Sequence, residues 1–337
     1  LYACTILLFA SNSINIGANL GAMAKAAQLL NPGLSFGWLV VGFTFFSLFL
    51  QIFTPYDKYA RYLKWLAMVL LAYVFSALLA NLDWSSVISS ALIPDLVMSK
   101  EAFIIICAVL GTTISPYLFF WQTSQEVEEQ ILLGKTTVHQ RRTATPPEEI
   151  KSMRVDVWSG IFLGQVVMFF IIAACGGILY TNGITNIESA AQAAEALRPF
   201  AGNATYFLFA IGIIGTGLLA TPILAGSSSY ALSESFKWKE GLNRPLKQAH
   251  AFYGIIIISM LVGLAMNFLG IDPIKALIYS AFANGLVAPV ILALIVIISS
   301  NKRIMGRWTN KRSTTMIGWL ATLIMVTAGV AGVISLF

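Results

Sequence analysis

Nine stretches of this chain are long and apolar enough to cross a lipid bilayer, which takes about 20 residues each. They are residues 2–30, 37–54, 62–80, 102–123, 159–180, 205–230, 251–269, 275–298 and 315–337. Hydrocarbon offers backbone N–H and C=O groups no partners, so only helices and closed barrels span it. The apolar runs are continuous rather than alternating, which selects helices. Composition points the same way: 11% of the 337 residues are charged, against roughly 25% in a soluble domain. The expected fold class is an all-α membrane protein with residues 1–337 in one transmembrane domain. The lipid bilayer is its first partner.

The formal charge of +6 could suggest a nucleic-acid partner, but the placement of the basic residues excludes it. Lys58, Arg61 and Lys64 follow the second stretch. Lys135, Arg141, Arg142, Lys151 and Arg154 follow the fourth, and Lys237, Lys239, Arg244 and Lys247 the sixth. Lys302, Arg303, Arg307, Lys311 and Arg312 follow the eighth. Seventeen of the twenty-one basic residues thus lie on one alternating set of loops, a positive-inside code. The loops after Phe53, Gln122, Tyr230 and Ile298 are expected in the cytoplasm, and the C-terminus outside. Residues 124–158 read as a polar cytoplasmic loop. Gly134-Lys135-Thr136 inside it resembles the end of a phosphate-binding loop. The upstream glycine is replaced by Glu129 and no strand precedes it, so the motif is discarded. Cys4, Cys107 and Cys175 sit in apolar runs without metal-ligand spacing.

Ionisable groups inside membrane spans mark functional sites, yet no span carries a central carboxylate or histidine. The acids, among them Asp95 and Glu188, fall in loops or at segment ends. Glu126, Glu128, Glu129 and Glu234 fall at cytoplasmic helix ends. Neutral polar residues do enter the spans. Asn12, Asn15 and Asn19 are spaced three and four apart and share one helix face, either as helix–helix glue or as pathway lining. The fourth span carries Gly111-Thr112-Thr113-Ile114-Ser115-Pro116-Tyr117 near its middle. Pro116 removes a backbone donor and disfavours helix at the residue before it. Unwound backbone at membrane depth survives only where it is buried in protein or lines a cavity, and half-helix ends there build transporter sites. A simple proline kink is the alternative. Asn284-Gly285 with Pro289 is a further buried polar point in the eighth span.

Gly111 to Tyr117 resembles, in register, the sixth-helix glycine–alanine–threonine–valine–methionine–proline–histidine motif of the NRAMP divalent metal transporters. The resemblance covers the whole chain. It implies a leucine-transporter-type inverted-repeat fold with nine of an expected eleven helices. The chain starts at Leu1 inside an apolar run and reads as N-terminally truncated. The family's first-helix metal ligands are then expected upstream of it. The Asn12–Gly21 segment and the Thr112–Glu129 run look closest to a prokaryotic branch related to NRAMP-type magnesium transporters, which implies a prokaryotic inner (plasma) membrane.

Three departures from the family pattern alter the expected mechanism. Ser115 stands where the family has its methionine, a soft ligand. Tyr117 and Gln122 stand for two histidines. Asn12 and Asn15 stand for the aspartate and glutamate of the proton route. The resemblance implies alternating-access transport of magnesium and/or manganese, with proton coupling in doubt. The divalent ion is the substrate, with no enzymatic activity and no cofactor, and no protein partner is indicated. Thr112 would offer a carbonyl to the metal and Ser115 a hydroxyl or held water. Gly111 and Pro116 would make the helix break. Asn12, Asn15, Tyr117, Gln122 and Asn284 would line the path. An amino-acid or amine transporter of the same fold, and a non-transporting membrane sensor, are the alternatives.

Overall fold

The computed structural model describes residues 2–54, 56–80, 82–93, 99–184, 187 and 189–335. Asp95 and Glu188 lie outside the described residues. The elements are α1 (Tyr2–Leu30), α2 (Phe36–Phe53) and α3 (Tyr56–Ala67), which passes through a 3₁₀ turn at Met68–Leu70 into α4 (Leu71–Leu79). Then come α5 (Trp84–Leu92), α6 (Lys100–Thr113), α7 (Pro116–Leu132), α8 (Val138–Thr143) and α9 (Pro147–Ala174), which ends in a π-helical turn at Cys175–Tyr180. The last are α10 (Ala190–Phe236), α11 (His250–Met266), α12 (Pro273–Ser300), α13 (Lys302–Met305) and α14 (Arg312–Ile334).

Each of the nine expected spans falls on one of these helices or on a pair of them. Eight spans have the length and apolar character to cross a bilayer, and α11, at 17 residues, is the short ninth. Large apolar side chains stay exposed on the outside, including Phe45, Phe46 and Phe49 on α2, Trp158 and Phe162 on α9, and Met316, Ile317 and Leu320 on α14. A water-facing surface rarely carries contiguous apolar patches of this kind. The chain is an integral membrane protein.

Three segments read as loops are helical. Residues 124–158 hold the end of α7, the whole of α8 and the start of α9. The short helix α8 is fixed by a reciprocal capping box between Thr137 and Gln140. Helix α5 starts at the Asp83 side chain, which accepts from the N–H groups of Ser85 at 3.1 Å and Ser86 at 3.4 Å. The first part of α10 starts at Ser189, whose hydroxyl accepts from Gln192 N. Gly202, at φ 82° and ψ 175°, divides that leading part from the spanning remainder. Positive φ is open to glycine because it has no Cβ. Caps satisfy the orphan N–H groups of a helix start, and short capped helices leave no long apolar run to detect.

Helix α1 is central and packs against α2, α10, α11 and α12. Its contact with α11 depends on glycine. A Cβ at Gly263 would sit 2.6 Å from Ile16 Cγ2 and 2.8 Å from Gly17 N. Small residues let helix backbones approach where no hydrophobic drive operates between them. One apolar cluster joins Ile16, Leu20 and Met23 of α1 with Trp121, Tyr230 and Phe252. A second joins Tyr73, Leu82, Leu197 and Phe209. Gly263→Val is expected to lower stability by about 1–3 kcal/mol, the usual cost of overpacking. Gly42 has open space around it, so Gly42→Ala is expected to be neutral or to raise stability by up to about 1 kcal/mol. Denaturant titration of both variants in detergent checks the pair.

Candidate cation site

The fourth span is two helices. Ile114 (φ −108°, ψ 65°) and Ser115 (φ −79°, ψ 125°) leave helical geometry, and Pro116 opens α7 as its first residue. In an unbroken helix the Thr112 carbonyl would accept from the N–H four residues on. That residue is Pro116, which has none. The Ser115 hydroxyl takes over and donates to the Thr112 carbonyl. The Thr112 and Thr113 hydroxyls both turn back to Val109 O, at 2.9 and 2.7 Å. The Thr112 carbonyl is the group freed by the break, while its hydroxyl is engaged as a donor along its own helix. Ser115 is buried, at 1% exposure.

The break is braced from one side. A Cβ on Gly111 would lie 2.6 Å from Gly285 Cα. A Cβ on Gly285 would in turn lie 2.6 Å from Cys107 O. Here α6 and α12 meet backbone to backbone, which only glycine permits.

Asn12 and Asn15 of α1 are buried and held by two neighbours, while Asn19 is only half-buried. Asn12 Nδ2 reaches Leu224 O (3.2 Å), Ser227 Oγ (3.1 Å) and Ser228 Oγ (2.9 Å) on α10. Asn15 Oδ1 accepts from Ser280 Oγ of α12 at 2.7 Å, and Ser11 Oγ donates to Ser280 O at 2.8 Å. Asn284, one turn beyond Ser280, is wholly buried. Tyr117 packs at the edge of the apolar cluster around Trp121 and Tyr230. Gln122 donates to Glu126 along its own helix at 2.8 Å. The structure thus brings Asn12, Asn15 and Asn284 into the interior among α1, α10 and α12, with the α6–α7 break against α12. Tyr117 and Gln122 follow the α7 side. Among the described residues no group of three or more His, Cys, Asp or Glu side chains is placed to hold a metal. A cation at this depth would meet neutral oxygens of carbonyl, hydroxyl and amide.

Residues 1–335 match the family model described as Natural resistance-associated macrophage protein-like. The chain belongs to the NRAMP family. It is 26% identical over 264 residues to the divalent metal cation transporter MntH of Caldanaerobacter subterraneus subsp. tengcongensis, covering 78% of this chain and 58% of that protein. It is 25% identical to the protein of the same name from Clostridium acetobutylicum, covering 77% and 56%. The chain therefore spans less than three fifths of these curated relatives. A crystal structure of the Eremococcus coleocola manganese transporter, bound to an aromatic bis-isothiourea substituted compound, superposes with a TM-score of 0.58. It covers 99% of this chain and 71% of that one at 18% identity. The fold is the leucine-transporter-type fold of NRAMP transporters.

One buried group in this NRAMP chain is not visible from sequence spacing. Glu128, read as a helix-end acid, is 3% exposed. Its carboxylate accepts from Tyr230 OH at 2.7 Å, Leu242 N at 2.8 Å, Asn243 N at 3.3 Å and the Asn243 side-chain amide. It fastens the far end of α7 to α10 and to the segment before α11. Gly241, at φ 117°, brings the backbone past it; a Cβ there would lie 2.6 Å from Glu128 Oε1. The only sequence signal was Gly241-Leu242-Asn243, a turn that exposes successive N–H groups, and nothing linked it to position 128. Beside it, burial, with the Glu234 and Glu128 carboxylates close by and Arg244 offsetting only in part, pushes the Glu240 carboxyl up to about 8.

Glu128→Ala strands the Asn243 N–H and leaves Leu242 N only its 3.2 Å bond to Tyr230 OH, and a buried donor left unmade costs about 1–3 kcal/mol. It is expected to lower stability more than Glu129→Ala on the exposed face of the same helix. The pH dependence follows from Glu240. The folded chain keeps that proton up to about pH 8, while the unfolded chain releases it near the ordinary glutamate value of about 4.3. The folded state therefore binds more protons between the two, and stability falls as pH rises through that window. Thermal melts from pH 5 to 9 are expected to show this fall, and Glu240→Gln to reduce it, the remainder coming from the other acids that burial raises, Glu128 and Glu234 among them.

Proposed function

We propose that this chain carries the transmembrane machinery of a secondary transporter that moves a hard divalent cation, magnesium and/or manganese, by alternating access. The observation that carries this reading is the Thr112 carbonyl, deprived of its helix partner by Pro116 and held by a rotatable hydroxyl. When Ser115 turns, the carbonyl and the hydroxyl are both free to face an ion. Both are neutral, hard oxygens. Magnesium keeps several of its waters and takes few protein ligands, so a sparse oxygen set suits it. A thioether at position 115 would favour softer ions.

The asparagines support transport without obligatory proton coupling. Asn12 and Asn15 occupy the α1 face as amides, which exchange no proton near neutral pH. Asn12 is tied to α10 and Asn15 to α12, and Tyr117, Gln122 and Asn284 would line the aqueous path beside them. The basic loops after Phe53, Gln122, Tyr230 and Ile298 support a cytoplasmic placement of those loops in a prokaryotic plasma membrane. The ion is substrate rather than cofactor.

Full-length protein in liposomes is expected to take up magnesium and manganese saturably while the lumenal pH stays constant. Lumenal acidification in step with metal entry, or manganese uptake with complete exclusion of magnesium, would sink the proposal. Ser115→Met is expected to raise the manganese-over-magnesium preference about tenfold, following ligand softness.

A further inference from the structure

We infer that Asn284 supplies an amide oxygen directly to the transported cation, making α12 a third contributor to the site beside the α6–α7 break. This rests on the transport reading above and assigns to Asn284 a contact rather than a place along the path.

The first observation is burial without a partner. Asn284 is fully buried, yet neither its Oδ1 nor its Nδ2 has a hydrogen-bond partner among the described residues. A buried amide left unpaired is costly, and nearly all buried polar groups in folded proteins are paired. Its neighbour on α12 is differently placed. Ser280, four residues earlier on the same stripe, exchanges hydrogen bonds with Ser11 and Asn15.

The second observation is position. Residues 281 and 285 of α12 are the ones that meet Gly111, and Ser280 faces α1. Asn284 follows Ser280 on the α1-facing stripe and sits beside the Gly285 contact. It therefore occupies the wedge between α1 and α6, level with the last turn before the break. The third observation comes from α1. Asn12 is also fully buried, and all its bonds to α10 run through Nδ2. Leu224 O can only accept, which fixes nitrogen on that side. Its Oδ1 is turned off α10 and is unpartnered as well. Unpartnered buried amide oxygens are thus present on both α1 and α12, and the one on α12 lies next to the Gly285 contact with α6. Amide oxygens are hard, neutral donors of the kind magnesium and manganese accept, directly or through a retained water.

Calorimetric titration of the full-length protein with magnesium chloride, and separately with manganese chloride, tests this. Asn284→Leu keeps a γ-branched side chain and removes both polar atoms. It is expected to weaken binding about tenfold or more, the range seen when metal-site partners are lost. Its apparent Tm without metal is expected to rise, because an unpaired buried amide is gone. Asn284→Asp keeps the oxygen and is expected to bind at least as tightly as the unaltered protein. Unchanged affinity in Asn284→Leu would overturn the inference, and a lowered Tm alongside it would show a structural amide bridged by water. If Asn284→Leu does not fold, Asn284→Asp decides, and a tenfold loss there overturns the assignment. Absence of binding by the unaltered protein would instead overturn the transport reading, so the two failures are distinguishable.

Discussion

A carbonyl in the membrane interior must find its hydrogen bond within the protein, because hydrocarbon supplies none. The α6–α7 break is organised around that constraint. Pro116 takes a donor away from Thr112, and Ser115 returns one from a side chain. The replacement differs in kind. A helix N–H is fixed by the backbone, whereas a hydroxyl swings about one bond, so the Thr112 carbonyl can be released without unwinding more helix. The threonine hydroxyls on either side fold back onto Val109 O and keep the last turn of α6 shut. The available oxygen is confined to one short place.

The same constraint explains the polar interior of α1. Serines and asparagines there bind across to α10 and α12 through neutral groups, and the described spans hold no central ion pair. Neutral networks avoid the large desolvation cost of charge at depth. They also join α1, the hub of the packing, to the two helices on either side of it. The unpaired amide atoms of Asn12 and Asn284 stand beside this network, as do the unpaired hydroxyls of Ser47 and Thr221.

Much of the fold could be read from residue order. Apolar runs of crossing length located the spans, because lipid imposes one solution on the backbone. Proline beside glycine, threonine and serine located the break to within the residues where the helix opens. The short helices at Trp84–Leu92 and Val138–Thr143 escaped notice because caps, not apolar runs, define them. Glu128 escaped notice for a different reason. A glutamate near a helix end is ordinarily solvated, and its four donors come from Tyr230, Leu242 and Asn243, more than a hundred residues later. The partnership of Asn15 with Ser280 is likewise a product of the three-dimensional fold. One-dimensional spacing could place the asparagines on a face but could not say which helix that face would meet.

The glycine contact between α6 and α12 also settles where this span can flex. With Gly111 against Gly285 the backbones of α6 and α12 touch directly, beside the packing of Cys107 and Ala108 on Ala281 and Phe282. A rotation at Ile114–Ser115 that keeps this contact in place turns α7. Twelve residues separate Pro116 from Glu128, an arm of about 18 Å at 1.5 Å per residue. A swing of about 10° at the break carries the Glu128 carboxylate about 3 Å, farther than a hydrogen bond can stretch. The oxygens at one end of α7 and the clasp at the other are two ends of a single lever, and neither can move far while the other stays in place.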